Sequence, residues 1–213
     1  MSFQYPQQEL NQYVNELFAE DDEALLYARQ IAIDEQLGFG SIQPFEGKCL
    51  YMLAKAAQAK QIIEIGTLSG YSAIWLARAL GKDGQLWTVD MDARHTKAAR
   101  KVLEKAGLID KVKLIIGDGI DMLNPLIDHR PFDMLFIDAD RPRYEAYLDW
   151  ASVHLRSGGI FVAHNAYNHG KVLAGDPEFD ATMDAFNRRL AKHPAFDSHI
   201  IGIGDAFAVG IKK

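Results

Sequence analysis

The chain has 213 residues, 48% hydrophobic and 24% charged, a size and balance that fit one globular domain with a substantial core. A formal net charge of −6 with no basic run argues against a nucleic-acid partner. The lone cysteine, Cys49, excludes an intrachain disulfide and any multi-cysteine zinc site, and no apolar run reaches membrane-spanning length.

The N-terminus, MSFQYPQQELNQ, lacks the basic and apolar pattern of a signal peptide, so a cytoplasmic protein is expected. Leu10, Val14, Leu17 and Phe18 recur at i, i+4, i+7 and i+8, the spacing of an amphipathic helix. A second helix is expected from near Asp22 to about Leu37, with Gly38 placed to end it. GFGSIQ at 38–43 reads as a glycine-bearing loop, and Pro44 fits the first turn of a third helix. Leu50, Leu53, Ala54 and Ala57 would form the buried face of that helix. These helices precede the first core strand and can pack across the open end of a sheet as a lid; plain helical decoration is the alternative.

From residue 61 the pattern alternates between strand and helix, with strands at about 61–65, 85–90, 112–116, 132–138 and 158–163. Ala99, Val102, Leu103 and Ala106 line one face of the helix after Asp90. The last helix is expected to take Asp176 as its cap and Pro177 as its first residue, with Phe179, Met183, Phe186 and Leu190 inward. Two apolar runs, 198–203 and 207–211, close the chain around Gly204, Asp205 and Ala206. That connection is too short to join parallel neighbours and implies a hairpin. The expected fold is α/β: a Rossmann-like, doubly wound, mostly parallel seven-stranded sheet with a C-terminal antiparallel hairpin and N-terminal lid helices. Ligands should bind at the carboxyl ends of its strands.

QIIEIGTLSGYS at 61–72 is the most informative stretch. A buried strand, glycines at Gly66 and Gly70, and a helix put backbone N–H groups and close backbone approach beside a ligand. The spacing is GxxxG rather than the GxGxxG of dinucleotide binders, and Glu64 at the strand end would repel a pyrophosphate but suit a cation. Asp90 ends the next strand, where an acid can hold ribose hydroxyls. Together these features point to S-adenosylmethionine (SAM); a plain strand–turn–helix with structural glycines is the alternative.

GSIQPFEGKCL, IIEIGTLSGYSAIWLA, FDMLFIDADRPRYEAYL, GGIFVAHNAYNHGKV and IIGIGDAFAV occur in the order and spacing of class I O-methyltransferases. The chain resembles the caffeoyl-CoA and catechol O-methyltransferase-like family, chiefly its bacterial members, from about Gly38 to the C-terminus. One antiparallel strand in an otherwise parallel sheet is also characteristic of methyltransferases. The resemblance implies one methyltransferase domain over 1–213, with N-terminal helices at 1–59 and a SAM-binding core at 60–213. It implies that Ile42 contacts the methionine part of the donor through its backbone. Glu64, Gly66 and Ser72 would hold the amino-acid end, Asp90 the ribose, and Gly117, Asp118 and Gly119 the loop along the adenine. Asp138 and Asp140 would border the donor, and Asp138, His164 and Asn165 would stand at the metal-ligand positions. A homodimer is implied as well.

Two positions depart from the family pattern. His164 replaces the second ligand carboxylate, and Arg141 replaces the lysine thought to take the acceptor's proton. Arginine stays protonated and cannot be that base, and one carboxylate instead of two is poor for Mg²⁺ or Ca²⁺. Mg²⁺ is therefore not expected to be essential. Three roles for His164 are open. It could ligate Mn, Fe or Zn, since imidazole suits these ions. It could be the general base itself, titrating near neutrality, a role favoured because Arg141 has vacated it. Or it could be a hydrogen-bonded histidine in a site without metal. His169 reads as a solvated loop residue, and Lys171 or Tyr167 could face the acceptor. The expected activity is methyl transfer from SAM to a hydroxyl of a small phenolic or catechol-like acceptor. The rivals are a tRNA hydroxyuridine O-methyltransferase and a non-catalytic SAM-binding protein.

Overall fold

The run at 61–65 becomes β1 (Gln61–Ile65), an inner strand of the sheet with Ile62 and Ile63 fully buried. A strand apolar on both faces can be satisfied only between two layers of helices. The computed structural model, which describes residues 6–38, 40–174 and 178–213, provides both layers. Seven strands pair among these residues in the order β3-β2-β1-β4-β5-β7-β6. They are β1, β2 (Gln85–Asp90), β3 (Val112–Ile116), β4 (Phe132–Ile137), β5 (Leu155–Ala163), β6 (Phe196–Ile201) and β7 (Phe207–Lys212). Strand β7 alone runs against the direction of the other six, with Ala163 opposite Ala208 on one side and Ile201 opposite Phe207 on the other. The fold is thus the doubly wound, mostly parallel sheet with a closing hairpin that the alternation implies.

Alternate residues of each strand feed two separate cores, as the pleat requires. Ile62, Leu86, Phe136 and Val162 pack under α2 (Glu23–Asp34), α3 (Pro44–Ala56), α4 (Tyr71–Ala79) and α5 (Ala93–Lys105). Ile63, Val89, Ile137 and Phe161 pack under α6 (Gly119–Leu123), α7 (Tyr144–His154) and α8 (Ala181–Ala191). The chain winds from β1 through β2 to β3 on one side and then crosses to β4 on the other, so a crevice opens at the carboxyl ends of β1 and β4.

Several boundaries differ from the sequence reading. Strand β5 begins at Leu155, three residues earlier than expected, through an irregular register with β4 near Gly158, whose φ is +73°. Strand β6 ends at Ile201, because Ala206 donates to the Ile203 carbonyl at 2.8 Å and residues after Ile201 form the turn. Helix α8 starts at Ala181, where Asp180 accepts from the backbone N–H of Thr182 and Met183 at 2.9 and 3.1 Å. The expected cap and first residue, Asp176 and Pro177, lie outside the described residues, and Phe179 is exposed ahead of the helix. Helix α1 (Gln7–Phe18) forms as its periodicity predicts, but Leu10, Val14, Leu17 and Phe18 are all exposed. Its attachment is polar instead: Asn15 Oδ1 accepts from the Phe45 backbone at 3.0 Å.

Candidate active site

The crevice is a cavity of about 1240 Å³ walled by the ends of β1, β2, β4 and β5 and by Leu37, residues 40–43 and Glu46. The expected lid is therefore the connection into α3 and the start of that helix, while α1 stands away from the cavity. Of the residues expected at the donor, Ile42, Gly66, Ser72, Asp90, Gly117, Gly119, Asp138 and Asp140 line it. Glu64 and Asp118 do not. Asp118 caps α6 through the Ile120 N–H at 3.1 Å and pairs with Arg143, which gives it a local structural task.

At the donor end the turn after β1 is held by its acids. Asp90 Oδ2 accepts from the backbone N–H of Thr67 and Leu68 at 2.9 and 3.0 Å, and His95 Nδ1 lies 3.0 Å from Oδ1. Gly66 has φ +102°, and a Cβ there would collide with the Asp138 carbonyl, so only glycine lets β1 and β4 approach this closely. Glu64 is fully buried beneath the turn, with Oε2 accepting from Thr88 Oγ1 at 2.7 Å. Burial raises its pKa to about 7, against the pull of the Ser72 and Thr88 hydroxyls, and Asp138 and Asp90 raise it further. Its Oε1 is sealed from solvent without a hydrogen-bond partner. A buried carboxylate left short of partners, beside a glycine turn and a ribose-type acid, fits a cationic amino-acid ligand such as SAM.

Four residues not singled out from sequence hold the wall opposite. Arg29 pairs with Asp21 at 2.7 Å and donates to the Ile42 carbonyl at 3.0 Å, while its guanidinium lies 4.1 Å from the centre of the Tyr71 ring. His95 Nε2 donates to the Leu37 carbonyl at 2.9 Å and so links the same wall to Asp90. The Arg29–Tyr71 and His95–Leu37 contacts have no local sequence signal, because each joins elements far apart in the chain.

The other end of the cavity holds Asp138, Arg141, His164 and Asn165. His164 is buried, with Nδ1 at 3.1 Å from Asp138 Oδ1 and Nε2 at 3.0 Å from Glu46 Oε1. Burial lowers its pKa, but the hydrogen bonds to Asp138 and Glu46 outweigh burial and push it up to about 10. Both carboxylate partners thus favour the charged form of the ring over the neutral one. Arg141 donates to Asn168 Oδ1 at 2.8 Å, and Asn168 is buried and donates in turn to Asp180 at 2.7 Å. Asp140 accepts from Tyr147 Oη at 3.0 Å and pairs with Arg143.

The family's metal positions do not fit a divalent ion here. A ligand histidine needs a free lone pair, whereas both His164 nitrogens lie at hydrogen-bond distance from carboxylates. Asn165 turns its amide away to donate to Asp205 at 3.0 Å. Among the described residues no group of three or more His, Cys, Asp or Glu side chains is arranged to hold a metal.

Comparison with known proteins gives a consistent picture. The O-methyltransferase family model matches residues 15–213. The chain is 39% identical over 208 residues to a catechol O-methyltransferase of Niastella koreensis, covering 96% of this chain and 92% of that protein. It is 35% identical over 194 residues to a catechol O-methyltransferase of Mycobacterium tuberculosis, covering 91% and 88%. Among solved structures, the O-methyltransferase TomG of Streptomyces achromogenes in complex with SAM matches with a TM-score of 0.88 at 32% identity. That match covers 99% of this chain and 100% of the other.

Proposed function

The chain belongs to the O-methyltransferase family, and from that premise we propose that it transfers the methyl group of SAM to a hydroxyl of a small phenolic or catechol-like acceptor. The observation that carries this proposal is one cavity that joins the glycine turn after β1 to the Asp138–His164 pair. The relatives named as catechol O-methyltransferases support the acceptor class.

When bound, SAM supplies a methyl group already activated by its sulfonium, so the protein's work is alignment and proton removal. Gly66, Ser72 and Asp90 hold the donor from the cavity wall, and Glu64 complements its positive charge from beneath. At the acceptor end, His164 fixes Asp138 Oδ1, and Asp138 Oδ2 has no hydrogen-bond partner among the described residues. Asp138 thus accepts the acceptor's hydroxyl hydrogen through Oδ2 and takes that proton as the hydroxyl oxygen gains its methyl. His164 acts as a charged orienting group rather than as the base. Arg141, whose charge is permanent, favours the ionised oxygen from the same end of the cavity. No step needs a divalent ion, and Mg²⁺ is not required.

No helix among the described residues is long and apolar enough to cross a membrane, and we place the protein in the cytoplasm. The uncovered apolar face of α1 supports a homodimer. Calorimetry with S-adenosylhomocysteine, paired with mass spectrometry of products from a panel of catechols and simple phenols, tests the activity. Binding of the spent donor and one added methyl on a phenolic oxygen are the expected results. Failure of binding, or no methylated product from any phenol, overturns the assignment.

A further inference from the structure

A buried carboxylate costs free energy unless it is paired and fully hydrogen-bonded. Glu46 is 2% exposed, and each of its contacts joins a different part of the site. As the third residue of α3 it closes a capping box with Gln43, whose backbone N–H donates to Oε2 at 2.7 Å. A capping box asks nothing more of a glutamate and forms equally well on a helix in water. Here the second oxygen turns inward, where Oε1 accepts from His164 Nε2 at 3.0 Å and from the Asp205 backbone N–H at 3.2 Å. Gly204, at φ +55°, leaves the room, because a Cβ there would collide with that carboxylate.

The consequence falls on His164. A neutral imidazole donates through one nitrogen only, whereas a ring with an ionised carboxylate at each nitrogen donates through both. Such a ring is held at two ends and cannot turn without breaking a charge-assisted hydrogen bond. Without Glu46 the ring keeps one anchor, and Asp138 loses the fixed partner that aims its free oxygen.

On the premise of methyl transfer in this cavity, we infer that Glu46 is a positioning residue for the reaction. Through His164 it sets the orientation of Asp138, and through Gln43 it ties the wall beside Ile42 to the acceptor end. Glu46 touches neither donor nor acceptor in this role, so its removal should separate kcat from binding.

Glu46→Gln, which keeps the side chain's shape and removes its charge, provides the first arm of the test. It should lower kcat by about tenfold to a hundredfold, while the affinity for S-adenosylhomocysteine stays within about threefold, the spread of a minor contact. Scoring turnover per calorimetric binding site keeps unfolded protein from counting as a loss. His164→Asp provides the second arm. Alone it crowds a third carboxylate between Glu46 and Asp138, and buried like charges repel, so turnover should collapse. Glu46→Gln added to His164→Asp removes that repulsion and should raise turnover above that of His164→Asp alone. Unchanged kcat in Glu46→Gln, or a double variant no more active than His164→Asp, overturns the inference. A wild-type protein that methylates no phenol would instead overturn the proposed activity, and the two failures are distinct.

Discussion

His164 is buried, which alone would lower an imidazole pKa, yet its hydrogen bonds to Asp138 and Glu46 push it up to about 10. Its folded value lies above an unfolded value of about 6.5. The stability it contributes is therefore complete below about pH 6.5 and is lost as pH rises through about 10. Urea unfolding of the protein and of His164→Gln should converge in stability across that window, and parallel curves would contradict a charged ring. The same charge state predicts that kcat lacks the step at about pH 6–7 that a histidine base would give. Glu64 and Asp90 are the acids proposed for the donor end. Loss of a hydrogen bond to a charged group costs about 1.5–3 kcal/mol, so Glu64→Gln and Asp90→Asn should each weaken SAM binding by roughly that amount. Calorimetry that finds both affinities unchanged would remove the donor assignment.

Among the elements, the turn after β1 leaves little room for change. Gly66→Ala sets a Cβ against the Asp138 carbonyl at a φ of +102°, and strain of that kind costs about 1–3 kcal/mol. A thermal midpoint lower by about 2–4 °C per kcal/mol, together with lost binding of S-adenosylhomocysteine, is expected; an unchanged midpoint would show that the turn can relax. The strands were legible in the sequence because runs such as Ile62–Ile63 and Met134–Ile137 must be buried on both sides, which leaves a parallel sheet as their only home. The donor turn was legible because its glycines and acids are close in sequence. Helix α1 was legible only in part: periodicity marks the helix, but nothing in it says what covers Leu10, Val14, Leu17 and Phe18. The start of α8 was misjudged because Asp176 and Asp180 are equally good caps by composition, and the backbone selects Asp180. Glu46 was not legible as a site residue at all. Its position three after Gln43 reads as a helix cap, which it is, and its partner His164 lies 118 residues away.

Among the described residues an apolar stripe of α1 stays exposed, with Leu17 and Phe18 at 56% and 62% beside Leu10, Tyr13 and Val14. Contiguous exposed apolar side chains of this kind mark association surfaces, and a second copy is the proposed occupant. Light scattering at micromolar concentration should give twice the chain mass, and Leu17→Glu with Phe18→Glu should shift it toward one chain. A single-chain mass for the unaltered protein would refute the dimer. The cavity, its donor turn and its charged acceptor end meet in one claim: methyl transfer from SAM that uses Asp138, aimed by His164, in place of a divalent ion. Both imidazole nitrogens are spent on carboxylates, so chelation should leave the reacting groups untouched. The most direct measurement is the rate of catechol methylation from SAM in excess EDTA, compared with the rate after adding back Mg²⁺ or Mn²⁺. Turnover that persists in EDTA and is unmoved by added metal is the predicted result; activity abolished by EDTA and restored by Mg²⁺ alone would contradict it.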